Sequence, residues 1–189
     1  MSETGPSTER CVFHARTSQN AQARELIPLS ALRERDPGAY ARAIAKYDGT
    51  PERRRLPGTR IPHMDVTWID VVFLTPIRPH AIWQAWLEET GTALATQEFW
   101  AIPIHDVPDP YLFDRSLSST GDPIDEREVS RVLAEQYTSS PITTAGNRAW
   151  LHDLAGSGRR GAWFHRTPHV LSRGPVPLTR AHIVSWDDD

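Results

Sequence analysis

Val66-Thr67-Trp68-Ile69-Asp70-Val71-Val72-Phe73-Leu74 is the stretch on which the fold reading turns. Apolar residues fall on both of its faces, the pattern of a central strand covered on two sides. Pro76 ends the run. The segment from Pro79 to Glu89 then reads as a helix, because Ile82, Trp83, Ala85, Trp86 and Leu87 form a broad apolar stripe and Gly91 stops it.

Working outward, Cys11-Val12-Phe13-His14 reads as a short strand, and Ser18 as the cap of a helix running through Gln22 to Leu26 before Pro28. Asp36-Pro37 pairs an N-cap with proline at the first helical position. Tyr40, Ile44 and Tyr47 continue that helix to Gly49. Thr50 to His63 lacks periodicity and reads as a loop. Beyond the central helix, Phe99 to Ile104 is a second strand and Asp106 to Thr120 a loop. Asp122-Pro123 opens a helix carrying Val129, Val132, Leu133 and Gln136, and a further helix spans Ala145 to Leu154. The chain closes on two short strands, His169 to Leu171 and His182 to Trp186. Helices and strands do not alternate strictly, so the expected class is α+β, a small mixed sheet with flanking helices. Residues 1 to 10 read as a disordered tail, 11 to 186 as a single domain and 187 to 189 as an acidic tail.

Composition narrows the function classes. The 189 residues are 39% hydrophobic and 24% charged, with seven tryptophans, which suits a folded core. Cys11 is the only cysteine, so neither an internal disulfide nor a Cys-based zinc site can form. No apolar run spans a bilayer and the start carries no signal-peptide core, so the expected location is the cytoplasm. Lys46 is the sole lysine, the mark of a GC-rich genome, and a bacterial source is expected. A net charge of −3 and a pI near 6.2 do not favour a dedicated nucleic-acid binder. The arginines from Arg148 to Arg180, opposed only by Asp153, keep a phosphate-binding face open beside the plainer reading of a solvated surface.

The short signatures of nucleotide loops, zinc proteases and serine hydrolases are absent, and no metal site is expected. Three residues draw notice on chemistry. Asp70 interrupts an apolar run, and a buried carboxylate must be hydrogen-bonded, paired or neutral. Such residues collect at functional sites, but a backbone amide or an arginine of the preceding loop also satisfies them. His14 ends a short strand, where an imidazole can face a pocket and meet a ligand amide or ribose. His169 stands near the start of a late strand.

Two stretches together resemble the DarT-type ADP-ribosyltransferases, which modify DNA using NAD. Phe13-His14-Ala15-Arg16-Thr17 with Asn20 is similar to that family's opening strand. Trp68 to Pro79 resembles its aromatic-rich strand, proline turn and apolar helix. Arg53, Arg54 and Arg55 lie where the family has an essential arginine, and Val170 to Pro177 resembles its late strand. The resemblance implies NAD as substrate, with Phe13, His14 and Asn20 at its nicotinamide-ribose end and an arginine such as Arg54 at the pyrophosphate. One departure stands out. The family's late strand carries a catalytic glutamate, whereas this chain has Thr167-Pro168-His169 there and no glutamate after Glu135. Cleavage at the nicotinamide-ribose bond builds positive charge, which a carboxylate stabilises. Asp70 and His169 are therefore the candidates for the catalytic role, unless the chain binds a nucleotide without this reaction. Two other readings stand beside this one: a non-enzymatic interaction module built on tryptophan and arginine, and a small-molecule enzyme of specialised metabolism.

Overall fold

The computed structural model describes residues 7–188. In chain order the elements are β1 (Cys11–Ala15), β2 (Glu25–Leu26), α1 (Leu29–Arg35), α2 (Pro37–Ile44), α3 (Pro51–Arg55), β3 (Arg60–Ile61), β4 (Val66–Thr67), β5 (Val72–Leu74) and α4 (Pro79–Thr90). There follow β6 (Glu98–Pro103), β7 (Tyr111–Phe113), β8 (Val129–Arg131), α5 (Ala145–Ser157), β9 (His169–Ser172), β10 (Val176–Pro177) and β11 (His182–Ser185). The fold is α+β.

Two antiparallel sheets carry the architecture. The first has the order β1-β6-β11 and the second β5-β9-β7-β8, with two-stranded ribbons β2–β10 and β3–β4 at the periphery. A two-way backbone bridge joins the sheets, Phe13 N–H to the Thr75 carbonyl and Thr75 N–H to the Phe13 carbonyl, both 2.9 Å. Successive residues of β1 face opposite ways. Val12 therefore enters a core shared by both sheets with Val72, Leu74, Ile102 and Val170. Phe13 packs on the other face with Phe99, Trp186 and Phe164. The helices α4 and α5 pack through Trp86, Ala85, Leu151 and Leu154.

Local chemistry explains where elements begin and end. The Asp36 carboxylate accepts the Ala39 amide at 2.9 Å and Pro37 opens α2, as the sequence indicates. Gly91 ends α4 in the left-handed conformation at φ 66°. Asn147, on the first turn of α5, is fully buried. Its amide donates to the Trp163 and His165 carbonyls, both 2.8 Å, and so ties the helix to the following loop.

Five expectations are corrected. Asp106 to Thr120, expected as a loop, holds β7, which pairs with both β8 and β9. The run from Val66 to Leu74 is two strands split by a 3₁₀ turn at Trp68–Asp70, because Asp70 accepts both the Thr67 amide (2.9 Å) and its hydroxyl (2.6 Å). β5 is moreover the edge of its sheet, continued only by the Thr75 bridge. The helix expected from Ser18 to Leu26 is a turn followed by β2. Thr50 to His63 holds α3, capped by the Thr50 hydroxyl, instead of a plain loop. The helix expected after Asp122 is a 3₁₀ turn at Glu126–Glu128 followed by β8, because Glu128 turns inward and Val129 pairs with Phe113.

Residues 7 to 10, expected within a mobile tail, are held: Ser139 N–H donates to the Glu9 carbonyl and Arg10 to the Ala134 carbonyl. Residues 1–6 of that expected tail, and Asp189 of the acidic one, lie outside the described residues. Among the described residues no helix is long and apolar enough to cross a membrane.

Candidate functional site

Three separated stretches meet where the sheets join. β1 is bridged to Thr75 at the end of β5, and β5 pairs with β9 through Phe73 and Leu171. The His14 Nδ1–H donates to the Phe73 carbonyl at 3.1 Å, since a carbonyl only accepts. In the neutral ring, Nε2 then keeps its lone pair. The Phe73 ring meets the His169 ring edge to face at 5.8 Å and 84°, and its centroid lies 4.6 Å from that of Trp68. Trp68 donates its indole N–H to the Tyr47 hydroxyl at 2.9 Å. Lys46 closes the group, 5.0 Å from the Tyr47 ring.

The electrostatics of this junction favour neutral imidazoles. Burial pushes the His169 ring down to about 4, against the Thr167 backbone, which favours its proton. Burial likewise lowers His14, opposed by the Phe73 carbonyl and reinforced by the charge of Lys46. The site therefore offers hydrogen-bonding nitrogens and aromatic faces without a carboxylate. Such a surface can stack a planar ring and meet its polar edge.

The other expected site residues lie elsewhere. Phe13 is 1% exposed, so its side chain is core and its backbone makes the inter-sheet bridge. Asn20 closes the turn after β1, donating to the Ala15 carbonyl (2.9 Å) and accepting the Thr17 amide (2.8 Å). Asp70 is a turn cap. Burial disfavours its charge, but the hydrogen bonds of Thr67 and Ser30 and the charge of Arg33 together outweigh this and hold the carboxyl below its usual range. Arg54 is exposed and donates to the Asp48 carbonyl at 3.3 Å. Its neighbour Arg55 reaches further, donating to the Gly121 carbonyl at 3.0 Å on the wall of an open cavity of ≈ 920 Å³. Neither this cavity nor a second one of ≈ 720 Å³ is lined by His14, Asn20, Asp70 or His169.

Sequence reasoning missed Glu128. Its side chain is 3% exposed and accepts from Leu117 N–H (2.6 Å), Ser118 N–H (2.8 Å), Ser118 Oγ (2.5 Å) and Asp125 N–H (3.1 Å). Burial raises the carboxyl and these bonds outweigh it, holding it ionised. Arg115 complements it, donating to the Ser118 and Asp122 carbonyls and lying 6.0 Å from the Trp68 ring. The Asp125-x-x-Glu128 spacing was the available signal, since it is that of a capping box.

The surface bears on the alternative readings. Trp86 and Trp186 are buried and the other five tryptophans half-buried, so they belong to the core and not to an exposed patch. In the arginine-rich last third, Arg148 pairs with Glu88 and Arg180 with Asp106. Arg159 and Arg160 lie over Trp150 and Trp86. No protein-family model, no curated protein and no solved structure matches the chain.

Proposed function

We propose that the chain handles NAD or a related nucleotide at the sheet junction, with His14, Phe73 and His169 as the contacting residues. One observation carries the reading: the three stretches that resemble the ADP-ribosyltransferase family lie on β1, β5 and β9, which the Phe13–Thr75 bridge and the β5–β9 ladder make neighbours. They are separated by more than fifty and by about a hundred residues in the chain, so their meeting is a tertiary fact that the sequence pattern does not contain.

The chemistry favours binding over cleavage. Removing nicotinamide from ribose builds positive charge that a nearby anion would stabilise. The two imidazoles are neutral, and Asp70 is occupied by its own turn. A neutral His14 can accept a hydrogen bond from a ribose hydroxyl or a carboxamide, and Phe73 with Trp68 can support a flat ring.

The test is incubation of purified protein with NAD, with and without single-stranded DNA, followed by melting temperature and by mass spectrometry for nicotinamide. A rise in melting temperature that saturates with NAD, without nicotinamide release, is the expected result. No shift with NAD, ADP-ribose or AMP would overturn the reading. Released nicotinamide would keep the site but refute the preference for binding alone.

A further inference from the structure

Several opposite charges on this surface find each other, Arg35 with Glu25, Arg148 with Glu88 and Arg131 with Asp109 among them. None of the ion pairs among the described residues lies in the cleft of ≈ 720 Å³ between the first turn of α4 and β11. Arg78, His80 and His182 line it together with Glu9 and Asp188, yet neither acid is joined in an ion pair or a side-chain hydrogen bond to any described residue.

The basic groups also keep free valences. Arg78 commits its Nε to the Ser139 hydroxyl at 3.0 Å, and its two terminal nitrogens bond no described residue. His80 donates from Nδ1 to the Trp186 carbonyl at 2.9 Å, which leaves Nε2 open. Apolar surface is at hand in Pro141 and in Ile183, which is 47% exposed.

We propose that this cleft binds a small zwitterion of the α-amino-acid class with an aliphatic side chain. Its carboxylate meets the Arg78 fork, and its ammonium group meets Glu9 or Asp188 and the lone pair of His80 Nε2. A simple anion fits less well, because the two acids oppose it. A simple cation is opposed by Arg78. A molecule carrying both charges can meet both kinds of group that line the cleft. The cleft touches the sheet junction through Phe13, but none of the proposed nucleotide-contacting residues His14, Phe73 and His169 lines it. The proposal therefore stands or falls independently of nucleotide handling.

The experiment is calorimetric titration of the full chain with three probes: leucine, 4-methylpentanoate, which lacks the ammonium group, and isoamylamine, which lacks the carboxylate. Leucine should saturate in the millimolar range, with each half-ligand weaker by about tenfold or more, as expected for one lost charged hydrogen bond. The double variant Glu9→Gln, Asp188→Asn should weaken leucine about tenfold and leave 4-methylpentanoate no weaker than before. Both acids are exposed and neither side chain holds the fold, so this variant keeps the test clear of unfolding. Failure of leucine to saturate, 4-methylpentanoate binding as tightly as leucine, or leucine affinity unchanged in the double variant would each overturn the proposal.

Discussion

The sheet junction and the segment from Asp114 to Glu128 solve opposite problems with buried ionisable groups. In the segment, a charged Glu128 is taken into the core and all of its capacity is used on the chain's own amides and a hydroxyl. The result is a loop of fixed shape with no valence left for a ligand. At the junction, burial removes charge from His14 and His169, and His14 Nε2 keeps its lone pair. Satisfaction of a buried polar group therefore separates scaffold from candidate site more cleanly than burial does.

The largest expected effect breaks the scaffold half of the contrast. Glu128→Leu leaves three amides and the Ser118 hydroxyl without their acceptor, and should cost roughly 3 kcal/mol in urea denaturation. A loss under about 1 kcal/mol would mean that the loop shape does not depend on the carboxylate.

The next effect probes the junction. The unfolded chain takes up a proton on His169 as pH falls through 6.5, while the native ring resists to about 4. Stability is thus fully present above that window and declines as pH falls within it, by roughly 2 kcal/mol from pH 7 to pH 5 for this ring alone. His14, His165 and His182, also lowered by burial, act in the same direction. Thermal melts across that range should be flatter in His169→Gln than in the parent. Equal slopes would contradict a buried neutral His169.

The smallest effect sharpens the assignment of Asp70. Its loss in Asp70→Ala should cost about 1 kcal/mol, the usual size for a cap, and leave nucleotide binding unchanged. Binding lost in a folded Asp70→Ala protein would return Asp70 to the site.

Elements whose signals are local were readable in the sequence. α4 was bounded by Pro79 and Gly91, α2 by Asp36-Pro37, and β1 and β6 by short apolar runs. Failures arose where a side chain bends the backbone back on itself. The apolar run from Val66 looks continuous until Asp70 is seen to cap its own turn, and the helical spacing from Val129 to Gln136 also fits a strand entering a 3₁₀ turn. Within the site, His14 and His169 were visible as residue types. Phe73, which touches both, was hidden because it lies 59 residues from His14 and its role is tertiary.

The most direct measurement is calorimetric titration of NAD into the parent protein and into His14→Ala, with melting curves to show that both are folded. Saturable binding to the parent, lost in a His14→Ala protein whose stability changes by less than about 1 kcal/mol, is the result expected of a ligand-facing imidazole. Equal NAD affinity in the two folded proteins would contradict the assignment of the sheet junction as the nucleotide site.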